Sequence, residues 1–193
     1  MRTTMRYVAF ICLLMLSSVF GECPNAADLR TEYVKNYFNA TLLDGFWYEV
    51  AFQDIAQIGE SCQCYNKSLD DSMGGSISEQ FGFTYKTARS MTLLYTSTDL
   101  TAVYTKATTF APEFAIPYVV VDVSVEKDGQ YSTITEYSCT TVGPITYQEI
   151  RIGSRSRNIS DESMAAIETT LTDLGLRYHL TYVDHPPSCS YNV

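Results

Sequence analysis

The chain has 193 residues, with 22 acidic against 13 basic side chains and a formal charge of −9. An excess of acid this large repels nucleic acid and anionic membranes, which excludes both as partners. Hydrophobic residues make up 46% of the chain, enough for one domain with a real core.

In chain order, the first element is a leader. Arg2 and Arg6 precede the apolar run Tyr7 to Phe20, which is the length of a secretory core and too short to span a bilayer. Val19 and Gly21 suit cleavage after Gly21, so residues 1–21 read as a signal peptide and 22–193 as one secreted, extracellular domain. Both leader arginines leave with it, so the mature chain carries 11 basic and 22 acidic residues, a formal −11. No second run approaches spanning length, and no stable membrane insertion is expected.

From Gly45 to about Ile152 the chain alternates with period 2, or is β-branched, in eight short segments. They are GFWYEVAF, CQCYNKSL, ISEQFGFTY, SMTLLYT, LTAVYTKATTF, YVVVDVSVE, YSTITEYSC and YQEIRIG, separated by DDSMGG, STD, APEFAIP and KDG. Asp128-Gly129 is a tight hairpin signal. The period then lengthens: Met164, Ile167, Leu171 and Leu174 form one helical stripe, with Ser160 or Asp161 to cap its start and Gly175 to end it. LRYHLTYV, with Leu176, Tyr178, Leu180 and Tyr182 on one face, reads as a ninth strand. Eight strands, a helix and a last strand describe an antiparallel barrel or sandwich with one helix packed outside.

Cys12 leaves with the leader, so Cys23, Cys62, Cys64, Cys139 and Cys189 remain. An oxidising compartment favours pairing, and an odd count leaves one thiol over. Asn39, Asn66 and Asn158 each open an N-x-S/T sequon and are candidate glycosylation sites. His179 and His185 are the only histidines, and no third ligand at metal spacing accompanies them. There is no nucleophile elbow, phosphate loop or dinucleotide glycine pattern either. The expectation is therefore a protein that is not an enzyme, with no catalytic residue, no metal and no cofactor.

The ordered set of motifs resembles the lipocalin family, and within it the apolipoprotein D-like branch. GFWYEV matches the Gly-x-Trp block at the first strand, CPN (Cys23 to Asn25) lies upstream of it, and GESCQCYNKSL matches the second-strand segment. YSTITEYSC, then IRIGSRSRNIS, the helix and a terminal Cys189 follow in the right order across nearly all of the mature chain. The resemblance implies an eight-stranded up-and-down barrel, a calyx, with the helix outside and a ninth strand. It implies a barrel plug of Gly45, Trp47 and Arg155, the guanidinium lying over the indole, with Arg157 as the other candidate. It implies the disulfides Cys23–Cys139 and Cys62–Cys189. Cys64 has no counterpart, so Cys64–Cys189 stays open. The family's Thr-Asp-Tyr block has only Asp122 and Tyr131 as nearby candidates, and Arg151 stands where the branch presents an aromatic residue.

The implied function is a secreted carrier of a small hydrophobic ligand: a fatty acid, sterol, retinoid or tetrapyrrole. Barrel strands put alternate residues inside. On that parity Ile77, Glu79, Phe81, Phe83 and Tyr85 face in, with Glu79 as a polar handle, as do Met91, Leu93 and Tyr95. If Asn66 points outward, Gln63, Tyr65 and Lys67 face in and Cys62 and Cys64 out. Phe110, Phe114 and Tyr118 belong to an aromatic segment at the open rim. The candidate ligand set is thus Tyr65, Ile77, Phe81, Phe83, Met91, Leu93, Tyr95, Phe110, Phe114 and Tyr118. Two other readings use Cys64: a thiol-dependent lipid isomerase of the prostaglandin D synthase type, or a protein-interaction lipocalin bridged through the odd cysteine, so that the protein is a monomer or a disulfide-linked dimer.

Overall fold

A computed structural model describes residues 22–70, 76–97, 101–191 and 193. The expected leader lies outside the described residues, as do 71–75 of the DDSMGG break, 98 and 99 of STD, Leu100 of the following segment, and 192.

Eight strands run antiparallel in chain order: β1 (Gly45–Gln53), β2 (Ser61–Asp70), β3 (Ser76–Tyr85), β4 (Thr87–Thr96), β5 (Val103–Thr108), β6 (Ala111–Val125), β7 (Tyr131–Val142) and β8 (Ile145–Ser154). The sheet closes on itself because β1 pairs on both sides. Gly45 to Tyr48 bond to β2, and Tyr48 to Gln53 bond to β8, with a bulge between Glu49 and Ala51 that turns the strand between its two partners. Helix α1 (Glu32–Tyr37) precedes the barrel, and helix α2 (Asp161–Asp173) follows it.

The period-2 strands divide their residues between two cores. Val119, Val121, Ile150 and Ile152 point outward and are covered by Met164, Ile167 and Leu171 of α2. Ser160 caps α2 by accepting from the Ser163 N–H, Asp161 and Glu162 occupy its first turn, and Gly175 ends it in the left-handed region, φ +71°. Inside the barrel Trp47, Tyr65, Phe81, Tyr95, Tyr118, Tyr131 and Ile134 pack together. The Asp128-Gly129 hairpin forms as expected, with Gly129 at φ +85°.

Four elements differ from the sequence reading. The chain before β1 was assigned no structure, yet Thr31 caps α1 and Val34, fully buried, packs into the interior cluster from below. The APEFAIP segment, expected to be a break, is the first half of β6; Pro112 lies where the β5–β6 register shifts between Lys106 and Thr108, and Pro117 stands opposite Thr105. The ninth strand, β9, is only Thr181–Tyr182, paired with β1. Leu176, Tyr178 and Leu180 alternate because they pack into the seam between α2 and the barrel, and their backbone forms no ladder. A bulge interrupts the β2–β3 register between Ser61 and Cys64, with Cys62 at φ +55°. Cys62 bonds to Cys189 and Cys23 to Cys139, while Cys64 stays a free, buried thiol. Among the described residues no helix is long and apolar enough to cross a membrane.

Candidate functional site

The two ends of the barrel differ in chemistry. At the β1 start, Trp47 is fully buried and its indole N–H donates to the Leu43 carbonyl at 2.8 Å. The Arg155 guanidinium lies 3.7 Å from the indole centroid and donates to the carbonyls of Phe46, Leu42 and Asp44 at 2.7, 3.0 and 2.7 Å. Gly45 at φ +95° turns the chain into β1 with its Cα facing that guanidinium. Arg157 instead lies over Tyr48 and Tyr191 on the outside. This end is shut.

Above the plug the interior is charged. Arg151 on β8 is almost wholly buried; its Nε donates to Glu49 at 3.0 Å and its Nη1 to Glu79 at 2.9 Å and to the Tyr95 hydroxyl at 3.1 Å. Lys67 on β2 lies 2.7 Å from Glu79 and 2.8 Å from Glu136. Its ammonium is caged by the rings of Tyr95, Tyr65 and Tyr118, with centroids at 4.5, 5.0 and 5.8 Å. Arg151 in turn stacks over Tyr65 and Phe81. Nearer the mouth Lys106 pairs with Glu149.

The environment sets the protonation of these carboxyls. Burial pushes Glu49 up to about 8, against the opposing pull of Arg151, so Glu49 holds its proton at neutral pH. Burial acts on Glu79 in the same direction, but Arg151 and Lys67 together overcome it and hold that carboxyl below the usual range. Burial raises the hydroxyls of Tyr65, Tyr95 and Tyr118. Arg151 Nη2, Glu49 Oε2 and the hydroxyls of Tyr65 and Tyr118 are buried with no hydrogen-bond partner among the described residues.

At the open end lies a cavity of about 130 Å³. Phe81, Phe83, Met91 and Leu93 of β3 and β4 form its apolar wall; Lys106, Glu149 and Arg151 form the opposite, ion-paired wall. The β1–β2 loop folds across it, tied down where Tyr147 donates to Asp54 and where Gln63 donates to Gln57 at 3.1 Å.

The sequence-assigned ligand residues separate into three groups. Phe81, Phe83, Met91 and Leu93 line the cavity. Tyr65, Ile77, Tyr95 and Tyr118 are inside but packed into the charged layer or beside the plug. Phe110 and Phe114 stand exposed on the rim, and Tyr85, read as inward, is exposed as well. Where an apolar cup was expected, the described residues form a small mouth cavity above an ion-paired layer. Sequence reasoning pointed Gln63, Lys67 and Glu79 inward but missed Glu49, Glu136, Lys106, Glu149 and the role of Arg151. Parity carried the signal: Glu49 is two residues from Trp47, and Glu149 and Arg151 alternate with the outward Ile150 and Ile152.

The spare thiol faces the other way. Cys64 lies on the outer wall beside Gly82 and Ser190, and burial pushes it up to about 12. Asn39 and Asn158 are exposed and Asn66 is half-buried. Among the described residues no group of three or more His, Cys, Asp or Glu side chains is placed to hold a metal.

No family model and no curated protein matches the chain. Solved structures do. Apocrustacyanin C2 is 20% identical with a TM-score of 0.68, covering 89% of this chain and 92% of its own. Lobster apocrustacyanin A1 is 19% identical with the same score and coverage. The siderocalin Ex-FABP, described as functioning through dual ligand specificities, is 16% identical with a TM-score of 0.57, covering 78% of this chain and 99% of its own. At these identities the likeness shows the fold: a closed eight-stranded lipocalin-type barrel with a C-terminal helix and a ninth strand.

Proposed function

We propose that this protein is a secreted, glycosylated lipocalin of the apolipoprotein D-like type that binds a compact amphiphile at the barrel mouth. The observation that carries the reading is the cavity of about 130 Å³ with an apolar wall facing an ion-paired one. That space is close to the roughly 150 Å³ that holds a benzene-sized molecule. It falls short of the roughly 300–1,000 Å³ that bury a whole drug-sized ligand. Among the expected classes this supports a fatty acid, which can enter by one end, over a rigid sterol, retinoid or tetrapyrrole. Arg151 and Lys106 line the cavity, which supports a head group that accepts hydrogen bonds. Apolar transfer at about 25 cal/mol per Å² supplies the driving force, less the cost of association.

The place of Cys64 supports binding over thiol catalysis. A nucleophilic thiol must ionise and reach the ligand, and this one is raised by burial and lies on the outer wall. The same burial disfavours a bridge to a second chain, so a monomer is the expected state. Native mass spectrometry of protein purified from its own source tests the reading. A co-purifying fatty acid or similar compact amphiphile supports it; a bound tetrapyrrole or sterol at one per chain refutes the size argument.

A further inference from the structure

At the shut end the strands part and leave a recess that the plug does not fill. β7 and β8 stay paired down to Thr133 and Ser154, and the Arg155 N–H makes a last bond to the Ser132 carbonyl at 2.9 Å. Beyond it the β6–β7 hairpin projects as a tight turn, closed by the Glu126 N–H donating to the Gln130 carbonyl at 2.8 Å. The chain leaves β8, crosses residues 156–159 and enters α2 at its cap, Ser160. Hairpin, strand ends and the first turn of α2 enclose a groove of about 410 Å³. That volume lies within the roughly 300–1,000 Å³ of sites for drug-sized molecules.

The lining selects a neutral, hydroxyl-bearing occupant. Ser132, Thr133, Ser154, Ser156, Ser160 and Ser163 supply hydroxyls, and Glu126, Asp128 and Gln130 supply carboxylates and an amide. Carboxylates accept strong bonds from sugar hydroxyls, while hydroxyls and the amide both give and accept. Half-buried Ile159 adds apolar surface. An anion is disfavoured: Arg155 is the one cation among the described lining residues, and its guanidinium is committed to three carbonyls and the Trp47 ring. Asp161 and Glu162 already occupy the positive end of α2. Within this lining stands Asn158, exposed, at the head of the sequon Asn158-Ile159-Ser160. A glycan attached there leaves the chain from inside the groove. Tethering raises its local concentration to about the mM range, so contacts too weak to hold a free sugar suffice. We propose that the groove is the docking site of the protein's own Asn158 glycan, whose first N-acetylglucosamine residues bridge the β6–β7 hairpin to the start of α2. This docking rests on the glycosylated reading above and not on the mouth cavity.

Amide exchange of residues 126–133, read by mass spectrometry on protein secreted from a eukaryotic host, tests it. Glycopeptide mapping first establishes which of Asn39, Asn66 and Asn158 carry sugar. With Asn158 occupied, exchange should be slower by about fivefold than in Asn158→Gln, while β3 and β4 exchange alike in both. Glu126→Ala with Gln130→Ala, both at exposed positions, should remove that protection in the glycosylated protein and change nothing further in the Asn158→Gln background. An occupied Asn158 with equal exchange in wild type and Asn158→Gln overturns the docking and leaves the glycosylated reading standing. Loss of the same size from the paired hairpin substitution in both backgrounds also overturns it, since the hairpin would then be loosened directly. Sugar on Asn39 or Asn66 but not on Asn158 refutes the docking alone; sugar on none of the three refutes the glycosylated reading as well.

Discussion

Replacing Arg151 with Met removes the centre of the buried charge layer at nearly constant side-chain length. In the wild type, with Glu49 protonated, Arg151 and Lys67 balance Glu79 and Glu136. The variant leaves Lys67 alone against two carboxylates and removes the donors at 3.0 and 2.9 Å from Glu49 and Glu79. Breaking a buried pair by removing one partner costs about 3–5 kcal/mol, a large share of a total stability of roughly 5–15 kcal/mol. The loss should also depend on pH with a definite sign. Without Arg151, Glu79 loses the larger of the two attractions that hold it below its ordinary value, so in the folded variant it takes up its proton at a higher pH than in the wild type. A folded state that binds more protons gains stability as pH falls, at about 1.4 kcal/mol per unit per proton. Lowering pH from 7 to 5.5 should therefore recover part of the deficit, at most about 2 kcal/mol for one proton. Urea unfolding followed by Trp47 fluorescence measures both quantities. A deficit below about 1 kcal/mol with no change between the two pH values would mean that water solvates the layer, and the reasoning would fail.

Four further outcomes are expected. Glu49 is protonated in the fold up to about 8 but ionises at its ordinary value once unfolded, so wild-type stability should fall as pH rises from 5 to 8; Glu49→Gln should flatten that slope in the same urea assay. A Cβ at Gly153 would stand 1.8 Å from the Tyr65 hydroxyl oxygen, so Gly153→Ala should cost about 1–3 kcal/mol, with Tyr65→Phe restoring part of it in a double-mutant cycle. Arg155→Ala loses the indole contact and three carbonyl bonds, and should lower stability by about 2 kcal/mol while shifting Trp47 emission to the red. Cys64 should react with a disulfide reagent at pH 8 only after denaturation, as a thiol pushed up to about 12 and covered by the C-terminal tail must.

The barrel was legible because its signals are local. Alternation marks each strand, the change of period marks α2, and Gly45, Trp47 and Arg155 mark the shut end. What escaped the sequence depends on tertiary partners. Glu49, Glu136 and Arg151 sit at inward positions by parity, but a lone charged residue on a strand reads as solvent-facing until its counter-charges on three other strands are known. The β2 bulge escaped for a similar reason: Cys62 adopts a positive φ that its sequence neighbours do not demand, and the bond to Cys189 holds it there. Residues 176–180 alternate like a strand because one face packs on the α2 seam, and periodicity alone does not distinguish packing from pairing.

Calorimetric titration of the wild type and of Leu93→Trp with a medium-chain fatty acid tests the mouth cavity most directly. Leu93 is 8% exposed on the cavity's apolar wall, so the larger indole fills the space without touching the plug. Saturable one-to-one binding by the wild type, abolished in a Leu93→Trp variant that still folds cooperatively, is the predicted result. Undiminished binding in that variant would put the ligand elsewhere and contradict the account.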